Sequence, residues 1–282
     1  MNRLSVPAHR AIGTAVLLSA LLAGCADKAE VDGQHIRVRL VSEQTTVTPG
    51  QPFWVGLLQT LDDGWHTYWR NPGDSGAAAR VQWHLPDGWT ASSIHWPVPE
   101  RMPYGDLMNF GYSGEVLLPV MITPPAALER GRVELAAEAL WLVCADVCIP
   151  GEGRLRLTLR VRPRAGPADA ENGSLFDRWR SRIPAALDGA RARRLDERMV
   201  ITVPLPDAED ARQVWFFPHA DGVVAHAGEQ EHRVTATGSV AVTVEAGAVD
   251  GDRLDGVVAV TTDAGTRGFR IDAPIDDGLN RG

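Results

Sequence analysis

From His35 onward, apolar residues alternate with polar ones at period two, or gather in short runs closed by turn residues. Ile36, Val38 and Leu40 alternate with Arg37 and Arg39, which predicts a strand with one polar face. The turn cluster Thr48-Pro-Gly-Gln-Pro52 separates it from a second strand, Phe53 to Leu61. Asp62-Asp-Gly64 is a hairpin signal, and Trp65-His-Thr-Tyr-Trp69 is the next strand, stopped by Asn71-Pro-Gly-Asp-Ser-Gly76. Strands follow at Val81 to Leu85 and Trp89 to Trp96, split by Pro86-Asp-Gly88. Pro97 to Tyr112, punctuated by Pro97, Pro99, Pro103, Gly105 and Gly111, reads as a long irregular stretch. Glu115 to Ile122, Arg132 to Val143 and Arg154 to Val161 complete this half. Short strands at such spacing, with no helical period between them, predict a β-sandwich.

Arg164 to Gly173 is rich in Pro, Gly and Ala and marks a domain boundary. Ser174 then stands as a helix N-cap, with Leu175, Phe176, Trp179, Ile183 and Leu187 at roughly helical spacing and Pro184 kinking or ending the helix. The β pattern returns at Met199 to Val203, Val214 to Phe217, Val223 to Ala227, Val240 to Val244, Leu254 to Val260 and Gly268 to Ile271. The expected organisation is all-β: a sandwich over residues 35–163, a linker over 164–173, a second, smaller β domain with a short helix over 174–274, and a tail over 275–282.

Hydrophobic residues are 44% and charged residues 23% of the chain, as in an ordinary globular protein. The net charge of −8 excludes a nucleic-acid binder, which needs a basic face for phosphate. Arg3 and Arg10 precede an apolar stretch, Ala11 to Ala23, of signal-peptide length. It ends in Leu22-Ala23-Gly24-Cys25, which looks like a bacterial lipobox. Residues 1–24 are then a removable leader, Cys25 carries the lipid, and residues 25–34 are a tether. Ala26, in place of Asp after that cysteine, favours the inner leaflet of the outer membrane. No later segment approaches the roughly eighteen apolar residues of a membrane-spanning helix. The expectation is a lipid-anchored periplasmic body in a compartment where disulfides form.

With Cys25 assigned to lipidation, Cys144 and Cys148 remain of the three cysteines. Four steps of extended chain reach roughly 13 Å, whereas a disulfide holds its Cα atoms about 4.4–6.8 Å apart. A bond between them therefore requires Ala145-Asp146-Val147 to bend. The residues alone allow a redox centre, a structural staple or metal ligands. As a staple, a five-residue ring contributes only about 2 kcal/mol. Asp146 disfavours a neighbouring thiolate by its charge. His66, His84 and His95 with Met102 and Met108 are ligand types that suit Cu(I), but without tight spacing. Seven of the nine Trp lie in the first half, as do all three Tyr (68, 104 and 112). Tyr68 reads first as a packed strand residue, and as a donor to a sulfur only if the fold brings one beside it. Asp74 reads as a turn residue. Trp215, His219, His226 and His232 form no constellation, so the second domain reads as a binding or spacing module.

Gly64-Trp-His-Thr-Tyr-Trp-Arg-Asn-Pro-Gly-Asp-Ser-Gly76, the loop with Tyr104-Gly105 and Gly111-Tyr112, and Cys144-Ala-Asp-Val-Cys-Ile-Pro150 together carry a resemblance. Residues 34–163 resemble the N-terminal periplasmic domain of the thiol:disulfide interchange protein DsbD, and more closely that of its relative ScsB, the suppressor of copper sensitivity. Residues 174–274 resemble the second β domain of ScsB-like proteins. The resemblance implies an immunoglobulin-like sandwich and a redox pair, Cys144 and Cys148, with Cys144 attacking and Cys148 resolving. It implies a cap loop at Pro99 to Tyr112. Pro103 stands where the family has an aromatic, which leaves Tyr104 or Met102 to cover the sulfurs. Tyr68, Asp146 and Trp65 are expected to support the site. No cofactor and no metal are implied. The family's longer members continue into a membrane domain where this chain stops, so electrons are expected from a separate membrane-embedded thiol donor and pass to periplasmic disulfide-bearing clients. Two alternatives are a non-catalytic envelope binding module with a structural disulfide, and copper-stress protection through Cu(I) binding.

Overall fold

The computed structural model describes residues 29–163, 170–206, 208–247 and 252–276. In chain order the first half forms β1 (Glu30–Gly33), β2 (Ile36–Ser42), β3 (Thr46–Val47), β4 (Phe53–Leu61), β5 (His66–Gly73), β6 (Arg80–His84), β7 (Thr90–Ala91), β8 (Glu100–Tyr104), β9 (Leu107–Ser113), β10 (Glu115–Thr123), β11 (Gly131–Cys144) and β12 (Cys148–Val161). One sheet has the order β1-β2-β4-β10-β7; the other has the order β3-β12-β11-β5-β9-β8, with β6 also paired to β11. The two close over Val38, Leu57, Trp69, Phe110, Leu117, Ile122, Leu135 and Leu155, all buried. This is the expected immunoglobulin-like sandwich. Strand β4 lies between β2 and β10 and is buried along almost its whole length, hence its continuous apolar run. On β12 the alternation is clean, with Leu155, Leu159 and Val161 inside and Arg154, Arg156 and Arg160 outside.

The second half forms α1 (Ala170–Arg180), β13 (Ala185–Ala186), β14 (Arg191–Leu195), β15 (Arg198–Val203), β16 (Gln213–Pro218), β17 (Glu231–Val234), β18 (Val240–Glu245), β19 (Arg253–Thr262) and β20 (Gly265–Asp276). Its strands run in the order β16-β19-β20-β14-β15-β18-β17, with β13 parallel to β20. Met199, Ile201, Phe216, Val242, Leu254, Val258 and Ile271 form its core. Both faces of β16 are buried. Val214 and Phe216 face that core, while Trp215 and Phe217 join Val257 and Ala259 in the core cluster of the first body.

Several local expectations are corrected. Part of the expected tether is strand: β1 pairs with β2, and Glu30 and Asp32 reach Arg37 and Arg39 across the hairpin. Its charged residues are partners within the ladder rather than marks of a solvated tether. The helix starts before Ser174 and ends at Arg180, and its Phe176 and Trp179 pack into the first core. Ile183 lies beyond the helix end, and Leu187 packs on the second core, so their helical spacing is incidental. Pro97 to Tyr112 is not irregular but holds the β8–β9 hairpin, turned at Gly105 with φ 58°. Of the expected Trp89–Trp96 strand, Thr90–Ala91 forms the ladder and Ser92 and His95 add single backbone bonds to β10, while Val223 to Ala227 contributes one isolated bridge. Cys25 and the expected leader lie outside the described residues, as do residues 164–169 of the expected linker and 277–282 of the tail.

Candidate functional site

Strands β11 and β12 form a ladder whose last pair is Cys144 opposite Cys148. The two cysteines are joined in a disulfide, with their Cα atoms 4.2 Å apart. Ala145-Asp146-Val147 makes the required bend, and Ala145 N–H donates to the Val147 carbonyl (3.2 Å). The hairpin needs glycine behind this tip. The Trp141 indole lies across Gly151 and Gly153, and a β-carbon at Gly151 would sit 2.2 Å from Trp141 Nε1.

The cysteines differ in exposure. Cys144 is 2% exposed, whereas Cys148 is exposed at the tip. The Cys144 position also pairs with His66 of β5. The His66 ring meets Tyr68 edge-on (5.2 Å), and its Nε2 is buried without a hydrogen-bond partner. Thr67 Oγ1 donates to the Leu142 carbonyl (3.2 Å), fixing β5 to β11. The Tyr68 hydroxyl lies 3.7 Å from Cys148 Sγ; with the sulfur oxidised, only the hydroxyl has a proton to donate. Burial lowers the His66 pKa and raises that of Tyr68, so burial favours the neutral form of both groups.

The β8–β9 hairpin reaches the same tip. The Tyr104 hydroxyl donates to the Asp146 backbone carbonyl (3.5 Å). Strand β8 is the edge of its sheet, where Pro103 removes one open N–H. Exposed apolar side chains stand at the bend and on the hairpin that reaches it: Val147 (60%) in the bend, and Tyr104 (49%) with Leu107 (41%) opposite it on the hairpin. Asp146 is exposed and takes part through its backbone.

Of the expected site residues, the structure brings together Cys144, Cys148, Tyr68, Tyr104 and Asp146. Met102 is half-buried on β8, opposite Asn109, and Trp65, next to His66, stacks flat on His35 (3.9 Å). The expected order of the cysteines does not fit their burial: Cys144, named as the attacker, is the shielded one. The imidazole and thioether set is dispersed. His66 is on β5, His84 is on β6 beside Glu138, His95 packs on Trp54, and Met108 is buried on β9. Among the described residues, no group of three or more His, Cys, Asp or Glu is arranged to hold a metal ion.

Sequence reasoning missed two contributors. His66 is opposite Cys144 rather than part of a ligand set. The Asn71–Gly76 segment is more than a turn: Gly76 (φ 97°) lies flat against Tyr68, where a β-carbon would come 2.1 Å from Cε1. Two glycines flanking an Asp in a tyrosine-bearing strand loop are the signal that was available.

Residues 37–160 match the family described as thiol:disulfide interchange protein DsbD, N-terminal. No curated protein matches the chain in sequence. The chain is similar in structure to the N-terminal periplasmic domain of ScsB from Proteus mirabilis, with 20% identity, 88% of this chain and 98% of that chain covered, and a TM-score of 0.61. The periplasmic chaperone SfaE aligns over 84% of this chain and 100% of its own at 12% identity, but with a TM-score of 0.22. The sporulation control protein Spo0M from Bacillus subtilis aligns over 85% and 90% at 11% identity and a TM-score of 0.24. Among the described residues, no helix is long and apolar enough to cross a membrane. A disulfide at the tip of a hairpin in such a domain fits thiol–disulfide exchange. Residues 37–160 thus match the DsbD N-terminal family, and the chain has the fold of the ScsB N-terminal periplasmic domain.

Proposed function

We propose that the Cys144–Cys148 pair carries reducing equivalents by thiol–disulfide exchange in the bacterial envelope. One observation carries the reading: a family-type disulfide presents one exposed cysteine, Cys148, and shields the other, Cys144. Exchange needs access to one sulfur and a second thiol held in reserve.

In loading, a donor thiolate attacks Cys148 Sγ. The 144–148 bond breaks, and Cys144 leaves as a thiolate and takes up a proton. The donor's second thiol then attacks the mixed disulfide, which oxidises the donor and frees Cys148. In delivery, the Cys148 thiolate attacks a client disulfide and one client sulfur leaves as a thiolate. Cys144, deprotonated, attacks Cys148 Sγ, restores the 144–148 bond and releases the second client sulfur. Two electrons and two protons move in each half. Burial thus supports Cys148 as the attacking sulfur and Cys144 as the resolving one, the reverse of the order implied by resemblance. The Tyr68 hydroxyl stabilises the Cys148 thiolate, and Tyr104 closes over the bend. The donor is a membrane-embedded thiol protein and the clients are periplasmic disulfide-bearing proteins. Cys25 supplies a lipid anchor in the periplasm, at the inner leaflet of the outer membrane.

Envelope extracts of cells making Cys144→Ser should accumulate mixed disulfides through Cys148, whereas Cys148→Ser should accumulate none. Capture by neither variant, together with a reduction potential of the 144–148 bond below about −300 mV, where structural disulfides lie, would refute the carrier reading.

A further inference from the structure

The second β body touches the thiol site indirectly, through the segment Asn71–Gly76. Asn71 is buried and spends both ends of its amide. Its Nδ2 donates to the carbonyls of Pro218 (2.9 Å) and Ala220 (3.2 Å) in the second body, and its Oδ1 accepts from Gly73 N–H (3.1 Å). Three residues on, the Asp74 carboxylate is split between two elements. Its Oδ1 accepts from His226 Nδ1 of the second body (2.9 Å), and its Oδ2 accepts from Met108 N–H of β9 (2.7 Å). Asp74 N–H in turn donates to the Met108 carbonyl (3.0 Å). Ser75 gives both its N–H and its hydroxyl to Asn109 Oδ1 (3.1 and 2.9 Å). Gly76 lies on the Tyr68 ring, whose hydroxyl reaches Cys148 Sγ. His226 is buried, and its ring packs edge-on to Phe110 of β9 (5.2 Å).

We propose that the second β body is a positioning module for the thiol site: through His226 and Asn71 it holds the Asn71–Gly76 segment, which fixes the β8–β9 hairpin and the Tyr68 ring around Cys148. An interface made only to join two bodies needs apolar contact, and Trp215 and Phe217 already supply it. Among the polar contacts between the two halves, those of Asn71 and His226 go to the segment that also grips the start of β9, next to Leu107 and Tyr104. Asp74 and Met108 exchange two hydrogen bonds, so releasing Asp74 from His226 loosens the hairpin where it covers the bend. The purpose of this device rests on the exchange reading; its mechanics do not, because access to a disulfide is measurable whatever the bond is for.

The test uses the full oxidised chain with His226→Phe, which keeps an aromatic ring against Phe110 and removes the donor to Asp74. Two rates are read: hydrogen exchange at the Met108 amide, and reduction of the 144–148 bond by dithiothreitol. A hydrogen bond to a charged group holds an opening equilibrium by about tenfold, so both rates should rise about tenfold. The two factors should agree, because both report the same opening. Exchange in β4 and β10 should not change. His226→Asn, whose amide can replace the lost donor, should restore both rates. A folded His226→Phe with wild-type rates at both positions would overturn the proposal, as would faster Met108 exchange with no change in reduction. If His226→Phe does not fold, Asp74→Asn is measured in the same way, and either of those two results would overturn the proposal there too. Capture of mixed disulfides by Cys144→Ser is independent of either result, so failure of the coupling and failure of the carrier reading remain distinguishable.

Discussion

Gly76→Ala is the sharpest single probe of how the Tyr68 ring is held beside the disulfide. Two costs add. The backbone at residue 76 has φ 97°, a conformation that costs an L-residue about 1–2 kcal/mol. The new β-carbon would fall 2.1 Å from Tyr68 Cε1 and 2.3 Å from Cζ. Tyr68 is 1% exposed, so its ring cannot swing into solvent, and overpacking of this kind costs about 1–3 kcal/mol. The expected loss is about 2–5 kcal/mol. Urea unfolding of the oxidised chain, followed by tryptophan fluorescence, measures it as a lower midpoint at constant slope. Tyr68→Phe should not relieve the clash, because it involves ring carbons. Tyr68→Ala should relieve the packing part, giving a coupling energy of about 1–3 kcal/mol in a double-mutant cycle. A loss below about 1 kcal/mol, or a cycle with no coupling, would show that Gly76 does not clamp the ring.

Two further outcomes follow from the same geometry. Tyr68→Phe should cost at most about 1.5 kcal/mol in stability, yet slow alkylation of reduced Cys148 by iodoacetamide about tenfold at neutral pH, because a hydrogen bond to a thiolate exceeds one to a neutral sulfur; equal alkylation rates would remove Tyr68 from the site's chemistry. The pKa values of His66, His95 and His219 are lowered, chiefly by burial. Such groups bind protons more readily in the unfolded chain, so their contribution is fully present above the unfolded value of about 6.5 and is lost as pH falls from there toward the folded values. The urea midpoint should therefore drop between pH 7.5 and 5.5, and replacing His66 and His219 by Gln should flatten that drop; an unchanged slope would contradict the burial argument.

The strands that were legible in sequence are those whose side chains alternate between a core and solvent, such as β2 and β12, or that are buried throughout, such as β4. The strand β14, Arg-Ala-Arg-Arg-Leu, was not, because only Ala192 is buried and arginines fill its other face. Strand β8 hid behind Pro103, since a proline in an edge strand sacrifices no ladder bond. At the site, the need for a bend between the cysteines could be reasoned from chain length alone. Which cysteine is shielded could not, because both end their strands at one tip and only the packing of β5 beside Cys144 separates them. Asp74 had the composition of a turn. Its second role depends on His226, 152 residues away, a separation that no local pattern encodes.

The fourteen residue pairs that join β11 to β12 run up to the disulfide itself. Opening the bond therefore frees a bend that the ladder behind it still keeps shut. Reduction breaks a single bond between two sulfurs, and the backbone hydrogen bonds of the ladder are not among what it breaks. If the pair is a carrier, its loaded and spent forms are expected to share one overall shape. On that reading, a partner that binds one form and releases the other has to sense the difference close to Cys148, at the exposed Val147 and Tyr104. On the exchange reading, discrimination between the two states is made at the tip, and a remote residue such as His226 acts on it only through the segment and hairpin that cover it.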